Sequence, residues 1–351
     1  MPELQPQMKA SLKGSTVLVT GGAGLIGSHI VDLLIEEGVG EIRVLDNLVR
    51  GGHHNLAAAR ARQPDIKFIQ GDVRDRDTVS KAVAGCDYVF HQAAIRITLC
   101  AEQPRECMDV LVMGAFNVFE AAVAHKVKKV VYASSASVYG GADVFPTDEK
   151  HHPYNNRTLY GAAKVMNEGI ARSFNEMYGL PSVGLRYFNV YGPRMDVTGA
   201  YTEVFIRWLD CIDNNKRPQI HGDGSATMDF VFVEDIARAN ILAMKSDRTD
   251  DVYNVASGTE TSLLGLWEAM QRIGGASHLK PEFHPPRKVN PVPRRLADTS
   301  RAKSEIGFVA QARLEDGLKK LDEWRREALV TIGAGAGANP AGPAREAAVA
   351  R

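Results

Sequence analysis

Thr16-Val17-Leu18-Val19-Thr20-Gly21-Gly22-Ala23-Gly24-Leu25-Ile26-Gly27 is the stretch that decides the fold of this chain. Its first five residues are β-branched or apolar and predict a buried strand, and residues 25–35 carry apolar side chains at helical spacing. Glycines between a strand and a helix let the backbone approach a pyrophosphate, which the positive end of the helix stabilises. The stretch therefore predicts a dinucleotide site, contacted by Gly21, Gly24, Leu25, Ile26 and Gly27.

An acidic residue follows the second predicted strand at the position that such a site requires. The strand at residues 41–45 leads into Asp46, nineteen residues beyond Gly27. An acid at this distance meets the adenosine ribose hydroxyls of NAD, and its charge repels the additional phosphate of NADP. NAD is therefore the predicted cofactor.

Strands and helices continue to alternate after this unit. Predicted strands at residues 67–70, 88–91 and 129–133 are separated by helices, which predicts an α/β fold with a doubly wound parallel sheet. Ligands of such sheets bind at the carboxyl ends of the strands. Several glycines and polar residues fall at those ends, including Asp46, Asp72, Gln92 and Ser134-Ser135.

The alternation becomes irregular after residue 188, which suggests a division of the chain. We expect a polar extension at residues 1–14, the dinucleotide-binding domain at 15–188, and at 189–330 mainly a smaller mixed α/β lobe with crossings back to the sheet. Residues 331–351 are rich in Gly, Ala and Pro and are predicted to form a disordered tail.

Charge and cysteine content exclude several classes of protein. The 42 Lys and Arg residues balance the 42 Asp and Glu residues, so no global field attracts nucleic acid or an anionic membrane. The four cysteines have no metal-binding spacing, and no apolar run predicts a membrane span. We expect a cytoplasmic protein with reduced thiols and with no metal, nucleic-acid or membrane partner.

Tyr160 and Lys164 lie four residues apart on the helix predicted at residues 159–178, and so share one face. A positive neighbour favours the phenolate, so Lys164 is predicted to lower the pKa of Tyr160 towards neutrality. This spacing is common on solvated helices, and the remaining motifs have to decide whether it is functional.

The ordered motifs from residue 15 to about residue 329 resemble the extended branch of the short-chain dehydrogenase/reductase superfamily, and within it the nucleotide-sugar epimerases and dehydratases. The resemblance rests on the glycine stretch, Asp46-Asn47, Gly71-Asp72-Val73, His91-Gln92-Ala93-Ala94, Ser134 to Gly140, Tyr160 with Lys164, Arg186-Tyr187-Phe188-Asn189 and Asp229 to Asp235. It implies a Rossmann domain that binds NAD, a nucleotide-sugar substrate, and a homodimer formed through the helices at residues 104–124 and 159–178.

The resemblance also implies a role for individual residues. Tyr160 would exchange a proton with a sugar hydroxyl, Lys164 would hold the nicotinamide ribose, and Ser135 would bind the same sugar oxygen. The cofactor contacts would include Asp46, Asn47, Asp72, Val73, Gln92, Ala93, Ala94 and Tyr187. The substrate contacts would include Ser137 and Asn189, with Asn189 at the diphosphate.

The reaction depends on the residues next to Ser135. Related dehydratases carry Asp-Glu directly after this position, and related decarboxylases carry Glu where this chain has Ser137; here the pair is Ala136-Ser137. The pattern resembles that of UDP-glucose 4-epimerases, which predicts transient oxidation at C4 followed by return of the hydride. A 4,6-dehydratase, a uronate decarboxylase and a non-catalytic NAD-binding regulatory protein remain as alternatives.

Some positions depart from the family pattern. Met228 stands where relatives carry a diphosphate-binding Arg, and Arg194, Arg287, Lys288 and Arg295 are candidate replacements by charge. Of these, Arg194 and Lys288 are predicted to bind substrate. Arg96 is also predicted near the sugar, where it could pair with a sugar carboxylate, a cofactor phosphate or a structural acid. Leu111 replaces a helix Asn of the family.

Overall fold

The structure is a computed structural model that describes residues 10–197, 202–286 and 292–336. In these residues the strands are β1 (Thr16–Thr20), β2 (Glu41–Asp46), β3 (Lys67–Gln70), β4 (Tyr88–His91), β5 (Lys129–Ser135), β6 (Ser182–Tyr187), β7 (Asn189–Tyr191), β8 (Gln219–His221), β9 (Thr227–Phe232), β10 (Asp251–Val255), β11 (Glu260–Ser262) and β12 (Glu282–His284).

The helices of the same residues are α1 (Leu25–Glu36), α2 (Ala57–Arg62), α3 (Arg76–Val83), α4 (Ile97–Glu102), α5 (Pro104–Met108), α6 (Gly114–Ala124), α7 (Leu159–Tyr178), α8 (Val204–Asp213), α9 (Val233–Lys245), α10 (Leu263–Gly274), α11 (Ser300–Ile306) and α12 (Leu314–Ala336). A π-helical turn, Asp109–Met113, joins α5 to α6, and a 3-10 turn, Ala136–Tyr139, follows β5.

The central sheet has seven strands in the order β10-β6-β5-β4-β1-β2-β3, and every pairing in it is parallel. This confirms the predicted doubly wound α/β fold. The chain leaves β1 towards β2 on one side and continues from β4 on the other, so the strand order reverses between β1 and β4, which is where sheets of this kind bind ligands. The predicted cofactor and catalytic residues follow the strands near this point.

Side chains alternate between the two faces of the sheet and build a core on each. Leu18, Val89 and Val130 pack on one face beneath residues of α3, α6 and α7, whereas Val19, Phe90 and Val131 pack on the other beneath α1 and α9. Because both faces are covered, the inner strands β1, β4 and β5 are nearly continuous apolar runs. The sequence therefore identifies these inner strands most readily.

The later part of the chain forms a separate apolar core and also returns to the sheet. Trp208, Trp267 and Phe230 belong to this core, beside a three-stranded sheet (β11-β9-β7) and the β12-β8 pair. β10 pairs with β6 at the edge of the main sheet. The division into domains at residue 188 stays a prediction, because one strand beyond it belongs to the main sheet.

Three features of the fold differ from the sequence-based expectation. α12 continues to Ala336, so the predicted start of the disordered tail at residue 331 is too early; residues 337–351 and 1–9 lie outside the described residues. The short helices α2, α4 and α11 were not predicted, because one to two turns give little periodicity. The helical stretch Pro104–Ala124 is apolar and long enough to cross a membrane, although 61% of its most apolar window is buried in the fold.

Candidate active site

The glycine turn after β1 provides an open helix terminus. α1 begins at Leu25, and its N-cap residue Gly24 contributes no side-chain hydrogen bond to the free N–H groups of the first turn. A Cβ on Gly27 would lie 2.7 Å from the Cα of Gly22, so only glycine allows this close backbone packing. Free N–H groups at a helix terminus attract an anion, and this turn therefore fits the pyrophosphate of a dinucleotide.

Asp46, which is buried at the end of β2, fixes this turn. Its Oδ2 accepts a hydrogen bond from the N–H of Ala23 at 3.0 Å, and its Oδ1 accepts one from the N–H of Leu48 at 2.8 Å. Asn47 donates to Asp72 at 2.9 Å, so the loops after β2 and β3 are joined. The hydrogen bond from Arg74 lowers the pKa of Asp72 to about 2, and Val73 is buried beside it.

Tyr160, Ser135 and Lys164 are brought together at the end of β5. α7 begins where the hydroxyl of Thr158 accepts the N–H of Gly161 at 3.1 Å, which places Tyr160 in the first turn of the helix. The Nζ of Lys164 lies 5.7 Å from the centroid of the Tyr160 ring and donates to the carbonyl of Ala133 at 2.8 Å. The Ser135 hydroxyl acts on the phenol in the direction that lowers its pKa and thereby favours its ionised form.

The expectation that Lys164 brings the pKa of Tyr160 towards neutrality is wrong for this structure. Burial raises the pKa of Tyr160 to about 12, because the phenolate would lose its hydration; Ser135 and then Arg50 oppose this shift. Burial also lowers the pKa of Lys164 to about 8. Both groups therefore favour their neutral forms more than they do in water.

A second layer of hydrogen bonds holds α7 against the sheet. Glu168 accepts two hydrogen bonds from Arg186, at 2.9 and 2.7 Å, and one from the hydroxyl of Ser134 at 2.5 Å. Arg186 also donates to the hydroxyl of Tyr139 at 2.8 Å. At Leu111, where the family Asn is missing, the backbone carbonyl accepts the side-chain amide of Asn167 at 2.9 Å.

The predicted cofactor residues after β4 and β6 bind one another. The hydroxyl of Tyr187 donates to Gln92 at 3.0 Å and is also hydrogen-bonded to Asn240 of α9. Gly21 has a φ of +66°, and a Cβ at this residue would lie 2.7 Å from the backbone nitrogen of Ala93. Ala94 and Tyr160 pack against the same apolar cluster. His91 is buried with a pKa lowered to about 3 by burial, so it is a neutral packing residue.

Arg96 precedes α4, which packs on α7, and its guanidinium faces two carboxylates. Its side chain is 11% exposed, and its guanidinium is 3.7 Å from both Asp196 and Glu203, which is longer than a hydrogen bond. Arg50 is an exposed residue of the loop after β2, and it lies close enough to Arg96 for the two like charges to repel each other. Sequence reasoning missed Arg50, although its place in the loop after β2 was a usable signal.

The structure describes some of the predicted substrate residues of the later chain, and their surroundings differ. Arg194 is paired with Asp32 of α1 at 2.6 Å, so the prediction that it is available for substrate is not supported by its surroundings. Lys288 and Arg287 lie outside the described residues. Asn189 begins β7 and is partly buried, and the N–H of Ser137 donates to the Ser135 hydroxyl at 3.1 Å. Arg295 is buried and donates to the carbonyl of Ala136 at 2.8 Å.

Residues 17–256 match the model of the NAD dependent epimerase/dehydratase family. The chain belongs to this family. It is therefore a member of the extended short-chain dehydrogenase/reductase superfamily, its cofactor is NAD, and its fold is the one expected from the motifs.

Known relatives and solved structures are similar to this protein over most of its length. A putative UDP-glucose 4-epimerase of Methanocaldococcus jannaschii is 36% identical over 88% of this chain and 98% of the relative. The crystal structure of UDP-glucose 4-epimerase from Thermotoga maritima, with UDP-glucose, is 34% identical with a TM-score of 0.83, covering 90% of this chain and 99% of that one. UDP-N-acetylglucosamine 4-epimerase from Methanobrevibacter ruminantium, in complex with UDP-N-acetylmuramic acid, is 33% identical with a TM-score of 0.84, covering 90% and 99%.

The family also includes other reactions at similar identity. A UDP-N-acetyl-alpha-D-glucosaminuronate decarboxylase of Bacillus cytotoxicus is 30% identical over 88% of this chain and 97% of the relative. A dTDP-glucose 4,6-dehydratase of Actinoplanes is 30% identical over 88% and 97%. Family membership alone does not choose among these reactions, and the residues of the site have to be considered.

Proposed function

We propose that this protein is an NAD-dependent 4-epimerase of a nucleotide-activated hexose, of the UDP-sugar type. The observation that carries the proposal is the residue pair after Ser135. Ala136 and Ser137 provide no carboxylate beside the Ser135 hydroxyl. Elimination of water needs an acid and a base to move further protons. A site with a single phenol at this position suits a reaction that only removes and returns one hydride.

The protein residues have a defined part in this reaction. NAD, held at the glycine turn of Gly21, Gly24 and Gly27, would supply the hydride acceptor and donor for the sugar carbon. Tyr160 takes the proton of the sugar hydroxyl as the carbonyl forms and gives it back when the hydroxyl is restored. Ser135 orients the phenol, and the positive charge of Arg50 favours the ionised form of Tyr160 that burial opposes. Lys164 donates to the Ala133 carbonyl, and this hydrogen bond holds its buried amino group beside the Tyr160 ring.

The test is the product formed from UDP-glucose, UDP-N-acetylglucosamine and UDP-glucuronate, each followed by proton NMR of the sugar ring. We expect inversion at C4 for at least one of them, and a loss of roughly 100-fold or more in rate for Tyr160→Phe. Tyr178→Phe, an exposed tyrosine at the end of the same helix, is the matched control and should keep the wild-type rate. A lasting keto sugar or released carbon dioxide would overturn the proposal in favour of a dehydratase or a decarboxylase.

A homodimer in the cytoplasm is the proposed state of the enzyme. α6 and α7 present a shared apolar surface to solvent, lined by Phe116, Ile170, Phe174 and Met177, with Met166 half exposed beside them. An apolar surface of this kind on neighbouring helices suits a contact with a second copy, because each helix can pack on its symmetry mate.

A further inference from the structure

The loop between the 3-10 turn after β5 and the start of α7 brings two histidines and an aspartate together, apart from the cofactor and catalytic residues. The ligand atoms of Asp143, His151 and His152 all lie within 4.8 Å of one another. The Nε2 of His151 is 2.7 Å from the Oδ1 of Asp143, and the Nε2 of His152 is 3.9 Å from the Oδ2 of the same carboxylate. Imidazole nitrogens with a carboxylate oxygen are ligands that Zn²⁺ and similar divalent transition metals prefer.

The hydrogen bonds of His151 determine which of its ring nitrogens is available to a metal. Its Nδ1 lies 2.8 Å from the carbonyl oxygen of His152, and because a carbonyl can only accept, Nδ1 is assigned the ring proton. The backbone N–H of Asp143 donates to Nε2 at 3.3 Å, which requires a lone pair on that atom. A carbonyl that fixes the tautomer in this way is the usual outer partner of a metal-bound histidine.

This tautomer leaves a contact that a cation would relieve. The lone pair of Nε2 faces a carboxylate oxygen at 2.7 Å, so two electron-rich atoms meet with no proton between them. A proton on Nε2 would satisfy only this pair. A metal ion would also engage His152, whose Nε2 is too far from the carboxylate, at 3.9 Å, for a hydrogen bond.

The ring of His151 is held in place before any ion binds. Its side chain is only 4% exposed, and its ring meets that of Tyr139 edge-on, with 5.8 Å between the ring centroids. Tyr139 is in turn hydrogen-bonded to Arg186 at 2.8 Å. A ligand fixed by packing and by outer hydrogen bonds loses little freedom when it binds a metal.

The separations suit a tetrahedral ion after small movements. Ligand atoms at about 2.1 Å from a tetrahedral Zn²⁺ lie about 3.4 Å from one another. The two pairs, at 2.7 and 3.9 Å, fall on either side of this value. Asp143 and His152 are exposed and free to adjust. If His152 binds through Nε2, it gives up the long hydrogen bond of 3.3 Å that its Nδ1 accepts from the N–H of Tyr154.

We propose that Asp143, His151 and His152 bind a Zn²⁺ ion, with water completing its coordination. The ion clamps residues 143–152 of the loop that lies between Ser135 and Tyr160 in the chain. The unfolded chain does not hold the three side chains together, so the ion stabilises the folded protein. The expectation of no metal partner rested on the spacing of the cysteines, and this group contains none of them.

The experiment is calorimetric titration of the untagged, chelator-treated protein with zinc chloride, combined with thermal unfolding. We expect one ion per chain with a dissociation constant roughly in the micromolar range, and a higher midpoint of unfolding with zinc. Asp143→Asn and His152→Ala should each weaken binding roughly tenfold or more and remove most of the thermal shift. Both residues are exposed, so these variants should fold. Mg²⁺, which prefers an all-oxygen shell, should give no measurable binding heat.

Two matched controls should keep the wild-type affinity for zinc. Asp148→Asn changes an exposed aspartate of the same loop, and His278→Ala changes an exposed histidine in the loop after α10. Absence of zinc binding overturns the proposal, and so does zinc binding that the two site variants leave unchanged, because the ion would then bind elsewhere. Equal affinity for Mg²⁺ and Zn²⁺ would indicate an unspecific contact with carboxylates and would overturn it as well. The titration uses no nucleotide sugar, so its result is independent of the proposed epimerase reaction.

Discussion

Replacing Glu168 with glutamine should lower the free energy of unfolding by about 3 kcal/mol, because it leaves the Arg186 guanidinium buried beside a neutral amide. The side chains of Arg186 and Glu168 are only 10% and 14% exposed, and two hydrogen bonds join them. The same carboxylate accepts the hydroxyl of Ser134 in the strand that ends at Ser135. Loss of the charge therefore loosens the contact between α7 and β5, and with it the placement of Tyr160.

Urea denaturation followed by tryptophan fluorescence measures this effect, and turnover of the best substrate is measured on the same samples. The matched control is Glu120→Gln, which breaks the exposed pair with Arg76 and should cost between about 0 and 1 kcal/mol. Replacement of both Glu168 and Arg186 by methionine should recover much of the stability, since no unpaired charge remains. The reasoning is refuted if Glu168→Gln costs no more than the exposed control.

Three further changes test other parts of the account. Gly27→Ala should weaken NAD binding roughly tenfold or more by calorimetry, because the methyl group would meet the Gly22 backbone, whereas Gly141→Ala, which meets nothing, should not. The unfolded chain binds more protons than the folded one between the lowered pKa of Lys164, about 8, and its ordinary value. The stability of the wild type relative to Lys164→Met should therefore rise by about 2 kcal/mol as the pH increases from 8 to 10, and a constant difference would contradict the burial argument. Met166→Glu should convert the dimer to a monomer in light scattering, whereas Val309→Glu, an equally exposed position on another surface, should leave it unchanged, and a wild-type monomer would remove the dimer proposal.

The sequence predicts the inner strands β1 and β4 well because they are buried on both faces, and the edge strand β3 is recognised although none of its residues is buried. β1, β3 and β4 have the residues expected for them, and the single helix at residues 159–178 is found with the same bounds. The carboxyl ends of parallel strands share one edge of the sheet, so the sequence alone predicts a common site for Asp46, Asp72 and Ser135.

What the sequence could not supply is the partner of each charged group. Arg96 and Arg194 are both predicted to bind substrate from their charge and position in the sequence. In the structure, Arg96 faces two carboxylates at 3.7 Å, whereas Arg194 is paired with Asp32 of α1. The pKa of Tyr160 likewise depends on how deeply the ring is buried, and spacing to Lys164 carries no information on burial. The burial of Arg295 and its hydrogen bond to the Ala136 carbonyl are likewise visible only in the structure.

The most direct measurement of the central claim uses a nucleotide sugar that carries deuterium at C4. Incubation of the wild-type enzyme with this substrate, followed by NMR and mass spectrometry of the product, reports where the hydride goes. If the site only removes and returns the hydride, the 4-epimer keeps the deuterium at C4 and no keto sugar accumulates. Deuterium found at another carbon, or a product that lacks water or carbon dioxide relative to the substrate, would contradict the epimerase assignment.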